Sequence, residues 1–349
     1  MVMPATSPSF FTCRAGNWSR GGYVFFVPAS RSKPKLVIAR APTRVDFGGG
    51  WTDVPPYCDR EGGFVCNAAI ARHAEARLSS VASGRAGGVE PDEPLLRAAS
   101  RHARLRDVDV KVTTDFPVGA GLGGSSAASA AVLAAGITWN GGAIDLKEIA
   151  ETGRRIEVEE LGIAGGRQDH YAATHGGALA LTFTTTVSAR RIALDAALRR
   201  EIADRSVLVY TGESRISGDT ITAVLGAYEA GEKRVVQALA RMRELAKLMA
   251  SALDNGSVDD LGRLVGEHWE HQRSLHATIP TPRIDAIVAT SRKAGAIGAK
   301  AMGASGGGCV LAIARGGGGE RLREALRSLG EILRFEIDTE GLTVRSEAA

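Results

Sequence analysis

Apolar and polar positions follow two different periods along the chain, and each period predicts one type of element. Strict alternation predicts a half-buried strand over 108–114. Weaker alternation and short apolar runs predict further strands at 36–39, 64–70, 74–80, 178–183, 206–210 and 309–314. Helical spacing predicts helices at 95–106, 126–139, 146–161, 221–230, 235–253, 259–273, 284–294 and 320–329. Because these elements mix without a regular βαβ alternation, we expect an α+β fold.

The chain has 349 residues, 44% of them hydrophobic, which allows a large core and predicts about two domains. Residues 1–34 mix Ser, Pro, Gly and Arg without a sustained period. We interpret them as a disordered tail or as sequence upstream of the natural start, with a short added strand as the alternative. We expect the first domain over 35–195 and the second over 196–349.

Charge and cysteine usage narrow the class of protein. The net charge of +4 is a mild excess and does not favour nucleic-acid binding. None of the four cysteines forms a C-x-x-C pair, so we expect reduced thiols in a cytoplasmic protein. No apolar run approaches the ~18 residues of a membrane helix. We therefore expect no nucleic-acid or membrane partner. Separately from these features, we expect a monomer or homodimer with a small-molecule partner.

A glycine-rich stretch, PVGAGLGGSSAA at 117–128, lies between the strand predicted at 108–114 and the helix predicted at 126–139. Glycines let a backbone approach an anion closely, and a helix start offers unpaired N–H groups with a positive dipole end. The hydroxyls of Ser125 and Ser126 can cap the helix or bind Mg²⁺. The stretch therefore predicts a phosphate site, although it lacks the lysine of the G-x-x-x-x-G-K-[ST] loop.

Two other interpretations of this stretch stay open at the level of the residues alone. Gly119, Gly121 and Gly124 satisfy the dinucleotide fingerprint, and Asp145 lies near the expected ~20-residue offset for a ribose carboxylate. However, a second helix is predicted after Asp145 where that fold needs a parallel strand. A tight turn with a purely structural role is the other alternative.

Three motifs in order resemble those of the GHMP kinases, the family of galactokinase, homoserine kinase, mevalonate kinase and phosphomevalonate kinase. The first is APTRVDFGGGWTD at 41–53, the second is the glycine-rich stretch, and the third is GASGGGC at 303–309. The resemblance covers about residues 36–340. It implies the two-domain GHMP fold, with an N-terminal domain like ribosomal protein S5 domain 2 and a ferredoxin-like C-terminal domain. It also implies an ATP-dependent phosphotransferase with an alcohol group as acceptor.

The resemblance assigns roles to residues of the second motif and to two charged residues elsewhere. ATP would be bound by Pro117, Gly119, Gly121, Leu122, Gly123, Gly124, Ser125, Ser126 and Ala127. Asp169, in the segment GGRQDHY at 165–171, would be the catalytic carboxylate that orients the acceptor hydroxyl and takes its proton. Arg44 of the first motif would steady Asp169 and the transferring phosphoryl group. His170 stands where Gln is often seen in the family.

The resemblance also implies Mg²⁺, a hard cation that prefers oxygen ligands. Its ligands would be Ser126 and an acidic residue upstream of Asp169, for which we choose Glu157, with Glu159 and Glu160 as alternatives.

The acceptor site is expected in the loops of the first and third motifs and in two nearby segments. Its residues would be Gly50, Trp51, Thr52, Asp53, Gly176, Gly177, Arg215, Gly306 and Gly307. The loop GGGWTDVPP at 48–56 resembles those of heptose-phosphate kinases and fucokinases. The implied reaction is phosphorylation of an anomeric hydroxyl, with D-glycero-D-manno-heptose 7-phosphate favoured as acceptor and L-fucose or another sugar as the alternative. A protein of the same fold that binds sugar or nucleotide without catalysis is a second class.

One further constellation, EHWEH at 267–271, invites a metal interpretation. It matches neither H-E-x-x-H nor H-x-x-E-H, and no third ligand is evident in the sequence. We therefore do not predict a zinc site there.

Overall fold

The structure is a computed structural model that describes residues 24–25, 34–81, 89–90, 93–213 and 218–347. Its strands are β1 (Val24–Phe25), β2 (Leu36–Gly48), β3 (Gly63–Ser80), β4 (Val89–Glu90), β5 (Val108–Thr114), β6 (Ile144–Asp145), β7 (Ala178–Phe183), β8 (Val187–Ile192), β9 (Ser206–Tyr210), β10 (Ala296–Ala301), β11 (Cys309–Ala314), β12 (Glu331–Leu333) and β13 (Thr343–Glu347). Its helices are α1 (Tyr57–Glu61), α2 (Pro94–His102), α3 (Gly124–Trp139), α4 (Leu146–Arg154), α5 (Gln168–His175), α6 (Ala196–Arg205), α7 (Gly218–Glu229), α8 (Lys233–Asp254), α9 (Val258–Ser274), α10 (Pro282–Lys293) and α11 (Gly319–Leu326), with a π-helical turn at Arg155–Glu160.

The larger sheet is built around β2 and β3, which pair antiparallel along most of their length. The order β13-β2-β3-β5-β4 is extended by β7, which pairs with the first part of β3, and by β8 beyond it. The sequence predicts β3 as two strands, whereas the structure has one of 18 residues. The break was wrong because β3 changes its second partner from β7 to β5 near residue 70, so the apolar period is interrupted while the backbone stays extended.

Helix α3 lies against β2 and β3 and is buried on nearly all sides. Its alanines allow this close packing, because a small side chain lets a helix approach a sheet and its neighbours at several faces. The helix begins at Gly124, directly after the glycine-rich stretch. The core of this half therefore fixes the position of the predicted phosphate site.

The smaller sheet has four strands in the order β10-β11-β9-β12, all antiparallel. In chain order the elements run β9, helices α7 to α10, β10, β11, α11 and β12, which is a βαββαβ arrangement with one helical layer enlarged. This topology confirms the expected ferredoxin-like C-terminal half. Helices α8 and α9 lie between the two sheets and contact both, with α8 against β3 and α9 against β10.

The last residues return to the larger sheet. Strand β13 pairs with β2, and the Asp338 N–H donates to the Ala69 carbonyl. The expected boundary between 195 and 196 stays a prediction, but this edge of the first half is built from the end of the chain.

Several elements of the structure were not predicted from the sequence patterns. Helix α5 lies in a segment for which no helix was predicted, and β8 and α6 lie on either side of the expected boundary between 195 and 196. These segments are short, and α6 is largely exposed, so their apolar periodicity is weak. Residues 1–34 lie outside the described residues except for β1, which pairs with β6, and residue 34. That pairing agrees with the alternative of a short added strand.

Two expectations about composition can be compared with the structure. Cys58, Cys66 and Cys309 are free and buried, while Cys13 lies outside the described residues. No helix in the described part of the chain is long and apolar enough to cross a membrane.

Candidate active site

A cavity of about 450 Å³ opens where the loops of the three sequence motifs meet. The glycine-rich stretch forms one wall, and Met302 to Ser305 with Gly307 and Gly308 form another. Residues from the end of β2, the π-helical turn and the start of α5 also line the cavity. Elements far apart in sequence thus converge on one space, as the motif order predicts.

The phosphate loop, defined here as residues 117–126, has the backbone that its glycines suggest. Gly119, Gly121 and Gly123 all have φ between 72° and 73°, a region that other residues rarely adopt. Gly123 is the N-cap of α3, and no side chain caps this helix start. The first N–H groups of a buried 16-residue helix are therefore available to an anion in the cavity.

Gly124 of this loop has a packing reason. A Cβ on Gly124 would lie 2.4 Å from Cε2 of Phe116, whose ring covers the helix start. A serine at this position would collide with the ring.

The third motif supports the phosphate loop through contacts with the backbone of Ala120. The Cys309 N–H donates to the Ala120 carbonyl at 2.9 Å, and a Cβ on Gly308 would lie 2.8 Å from that same oxygen. Two side chains of this motif are also fixed by their surroundings. Cys309 is a buried residue of β11, and Ser305 has φ 65° and accepts a hydrogen bond from Gln272.

Arg44 and Asp169 form a bidentate ion pair, although 125 positions separate them in sequence. The Arg44 Nε and Nη2 donate to the two Asp169 oxygens at 2.7 and 2.8 Å, and Nη1 donates to the Gly121 carbonyl at 2.6 Å. The Arg44 side chain is 4% exposed, while that of Asp169 is 26% exposed. Arg44 therefore fixes the orientation of a carboxylate that faces the cavity beside the phosphate loop.

Asp53 follows β2 in sequence, and its side chain is buried against the start of α5. Its Oδ2 accepts hydrogen bonds from the backbone N–H groups of Arg167 and Gln168 at 3.0 and 3.1 Å. Burial, together with the nearby Asp169 and Asp46 carboxylates, outweighs the lowering by the Gln168 N–H and raises the pKa of Asp53 to about 6. Gly166 is required here, since its Cβ would lie 1.9 Å from the Asp53 carboxylate.

Asp46 and Lys300 are lining and supporting residues that the sequence analysis missed. The Lys300 Nζ donates to the Asp46 carbonyl at 2.7 Å and to its Oδ2 at 3.0 Å, and both residues are buried. Burial lowers the pKa of Lys300, and the Asp46 carboxylate opposes that effect. Two signals were present in the sequence: Asp46 lies two positions after Arg44 on one strand, and Lys300 interrupts an apolar strand.

Glu157 lies beneath the start of α3, on the π-helical turn. Ser125 Oγ donates to its Oε1 at 3.1 Å, Ser126 Oγ donates to its Oε2 at 3.4 Å, and His170 Nε2 lies 3.1 Å from Oε2. Burial raises the pKa of Glu157, but the contacts with His170 and the two hydroxyls outweigh this and leave it lowered.

The other two acidic candidates for a metal point elsewhere. Glu159 pairs with Arg154, and Glu160 pairs with Arg101 and His102. In the described part of the chain, no cluster of three or more His, Cys, Asp or Glu could hold a metal. The serine hydroxyl and carboxylate of Ser126 and Glu157 nevertheless fit Mg²⁺, which commonly takes one carboxylate, phosphate oxygens and water.

Some residues predicted for the site lie away from the cavity. The Thr52 hydroxyl donates to the Gly49 carbonyl at 2.7 Å and is fully buried, so it is engaged by backbone. Ala127 is buried inside α3. Gly176 packs against Gly341, and Gly177 against Arg191. Gly306 also does not line the cavity. Arg215 lies outside the described residues.

Two domain families match the chain in the expected order. The N-terminal domain of the GHMP kinases matches residues 94–177, and their C-terminal domain matches residues 249–332. The chain therefore belongs to the GHMP kinases and is a phosphotransferase with an alcohol group as acceptor. This confirms the family and the fold that the three motifs indicate.

Individual relatives share about a quarter of their aligned residues with this chain. The chain is 26% identical to a D-glycero-alpha-D-manno-heptose 7-phosphate kinase of Campylobacter jejuni over 79% of this chain and 89% of the relative. It is 27% identical to an L-fucokinase/L-fucose-1-P guanylyltransferase of Bacteroides fragilis over 85% of this chain but only 37% of that relative. A D-glycero-D-manno-heptose 1-phosphate kinase from Bacteroides thetaiotaomicron superposes with a TM-score of 0.70 at 25% identity, over 88% of this chain and 98% of that chain.

Proposed function

We propose that the protein is an ATP-dependent sugar kinase that phosphorylates an anomeric hydroxyl, with D-glycero-D-manno-heptose 7-phosphate as the acceptor. The observation that carries the kinase assignment is the Arg44–Asp169 pair, held against the phosphate loop by the bond from Arg44 to Gly121. Phosphoryl transfer depends mainly on positioning and on stabilising charge. A fixed carboxylate beside an anion-binding helix start supplies both.

In the proposed reaction the sugar oxygen forms a bond to the γ-phosphorus of ATP, the bond to the β–γ bridging oxygen breaks, and ADP leaves. Asp169 orients the acceptor hydroxyl and takes its proton, since each oxygen that accepts from Arg44 keeps a second lone pair. The N–H groups at the start of α3 bind phosphate oxygens. Mg²⁺ on Ser126 and Glu157 would neutralise phosphate charge.

Asp53 and Trp51 are proposed to hold the acceptor from the opposite wall. An ionised Asp53 can accept from two sugar hydroxyls. Trp51 lines the cavity, and its indole Nε1 is buried without a partner in the described structure, so it is free to donate to a sugar oxygen. Arg215 is proposed to bind the phosphate of the heptose, because guanidinium groups recognise phosphate well.

One observation favours a second candidate, an uncharged sugar such as L-fucose. Among the described residues that line the cavity, the only lysine or arginine is Arg44, which is already bound to Asp169. The same lining contains the carboxylates of Asp46, Asp53, Glu93, Glu157 and Asp169. A sugar phosphate entering this acidic space needs a further cation, and the proposal depends on Arg215 for it.

The two acceptors are separated by measuring ADP release with heptose 7-phosphate, the unphosphorylated heptose and L-fucose. We expect wild-type turnover on heptose 7-phosphate and a roughly tenfold or larger increase in its KM in Arg215→Gln. Arg327→Gln, at a 68% exposed surface arginine, is the matched control and should be unchanged. Turnover of the unphosphorylated sugars alone would exclude the heptose phosphate, and no ADP release with any sugar would exclude a sugar kinase.

A further inference from the structure

The acceptor loop, defined here as residues 48–56, begins at an irregular point of β2. The register of β2 against β3 shifts between Asp46 and Gly48, where the chain leaves the strand. Such a bulge leaves backbone groups outside the sheet ladder and redirects the chain. Gly49 continues the turn with φ 90°, and its Cβ would lie 2.0 Å from the Phe64 carbonyl oxygen.

Two fully buried side chains from the C-terminal half hold this turn by its backbone. The Lys300 ammonium, from β10, donates to the carbonyl of Asp46 at 2.7 Å. The His268 Nε2, from α9, accepts the N–H of Gly49 at 2.9 Å. Burial lowers the pKa of His268 far below its usual range, with Lys300 adding to the effect, so the imidazole is neutral and can accept this bond.

The contact is tight as well as polar. A Cβ on Gly48 would lie 2.5 Å from Sδ of Met249 in α8 and 3.1 Å from Cδ2 of His268. The start of the acceptor loop is therefore pressed against the two helices that lie between the sheets. Neither Lys300 nor His268 lines the cavity, so neither is a candidate for direct contact with substrate.

A buried ion pair is a weak source of stability, because desolvation of both charges offsets their attraction. Replacing such a pair with uncharged side chains of similar volume is often neutral or stabilising. The Asp46–Lys300 pair is fully buried, yet it fixes the segment of backbone that carries Arg44 on one side and Asp53 on the other. A role in positioning accounts for its location better than a role in stability.

We propose that Lys300 and His268 are positioning residues that clamp the backbone of residues 46–49 and so set the acceptor loop for sugar binding. Lys300 fixes the carbonyl at the end of the strand, and His268 fixes the amide at the start of the loop. The proposal rests on the proposed sugar kinase function for its kinetic consequence. Its structural consequence, the order of the loop, does not depend on which acceptor is used.

The first test uses His268→Leu, His268→Gln and His271→Gln. Hydrogen–deuterium exchange of the 48–56 segment should be about tenfold faster in His268→Leu, because one buried acceptor is lost, while exchange in 119–126 stays unchanged. The KM for sugar should rise about tenfold with the KM for ATP within about twofold. His268→Gln retains an acceptor and should recover most of both losses. His271→Gln, one turn along α9, should match the wild type.

The second test uses the double variant Asp46→Asn, Lys300→Met, which removes both buried charges. We expect a melting temperature equal to or above that of the wild type, together with faster exchange in 48–56 and at least a tenfold loss of kcat/KM for sugar. Unchanged exchange and unchanged sugar KM in His268→Leu and in the double variant would overturn the proposal. So would a parallel rise in both KM values accompanied by a lower melting temperature.

Wild-type ADP release tests the proposed function, whereas the variants test the clamp. Absence of sugar-dependent ADP release in the wild type would overturn the sugar kinase assignment, and the exchange data would then decide the clamp alone. Wild-type turnover combined with unaltered variants would overturn only the clamp.

Discussion

At the scale of single residues, the site depends on charged groups that are fixed by other protein groups before any substrate binds. Arg44 makes three hydrogen bonds and is buried, so the Asp169 carboxylate has one orientation. The motif resemblance predicted both residues and their association. Reasoning from local pattern could not bring them together, because their separation of 125 positions is closed only by the packing of α5 against β2.

The first prediction concerns Asp169→Asn, which preserves shape but removes the proton acceptor. We expect kcat to fall by about 10²–10⁴, because that range is typical for loss of a general base. The affinity for ATP should change little, since the phosphate loop binds through its backbone. Steady-state ADP release and nucleotide titration measure the two quantities.

Asp204→Asn is the control, because Asp204 is an exposed carboxylate at the end of α6. It should retain full activity. A rate for Asp169→Asn within about threefold of wild type would contradict the role of Asp169 as the proton acceptor.

The second prediction concerns Asp53 and pH. Its pKa is raised in the folded protein to about 6 from 3.8, so the folded state holds this proton more tightly than the unfolded state. The associated stability is fully present below about pH 3.8 and is lost as pH rises through about 6. Asn at this position has no proton to lose. Relative to Asp53→Asn, the wild type should therefore lose up to about 3 kcal/mol of unfolding free energy between pH 4 and pH 7.

Urea unfolding of both proteins at pH 4.5, 6 and 7.5 measures this difference. Curves that stay parallel across the range would show that Asp53 titrates normally. Asp285→Asn, at an Asp paired with Arg273 on the surface, controls for general effects of pH.

At the scale of elements, the sequence predicted the longer helices better than short elements such as α5, α6 and β8. The alternation at 108–114 matches β5 in full. The helix predicted at 146–161 instead changes to a π-helical turn at Arg155. That turn places Glu157 under Ser126, and π-helical irregularities are frequent at functional sites. Apolar periodicity does not report such a change, because it depends on a contact with α3.

The third prediction tests why α3 begins with Gly124. In Gly124→Ser, the new Cβ would lie 2.4 Å from the Phe116 ring, so the helix start must shift. Overpacking of this kind costs about 1–3 kcal/mol. We expect a lower melting temperature and a higher KM for ATP, because the shifted residues are those proposed to bind phosphate.

The double variant Gly124→Ser, Phe116→Leu makes room at the ring and should recover part of both losses. The single variant Phe116→Leu completes the cycle, and the coupling between the two positions should be favourable. Additive effects would show that the ring does not explain the glycine.

At the scale of the whole molecule, the candidate active site lies between the two halves of the chain. The larger sheet supplies Arg44 and Asp46, and the α3 side supplies the phosphate loop. The C-terminal half supplies residues 302–305, 307 and 308, with Lys300 and His268 as supports. The motifs predicted which segments meet. They did not predict the buried polar groups that join the halves, since the sequence does not show which distant backbone atoms Lys300 and His268 contact.

The return of the chain to its first sheet leads to the fourth prediction. Strand β13 pairs with residues 36–40 of β2, whereas Arg44 and Asp46 lie beyond that pairing and are held by β3 and Lys300. Removal of residues 343–349 should therefore lower the unfolding free energy by about 2–4 kcal/mol, from a few lost ladder hydrogen bonds and half-buried Val344. At 15 °C, kcat and both KM values should remain within about twofold of wild type.

Removal of residues 348–349 alone is the matched control and should leave the unfolding free energy unchanged, because β13 ends at Glu347. Urea unfolding and steady-state kinetics on the same preparations separate the two effects. A truncated protein that folds at 15 °C but has lost sugar turnover would show that β13 acts on the site through β2. Full activity with reduced stability would instead show that the two ends of β2 are independent, with the edge strand stabilising the sheet and the buried contacts at Asp46 and Gly49 positioning the site.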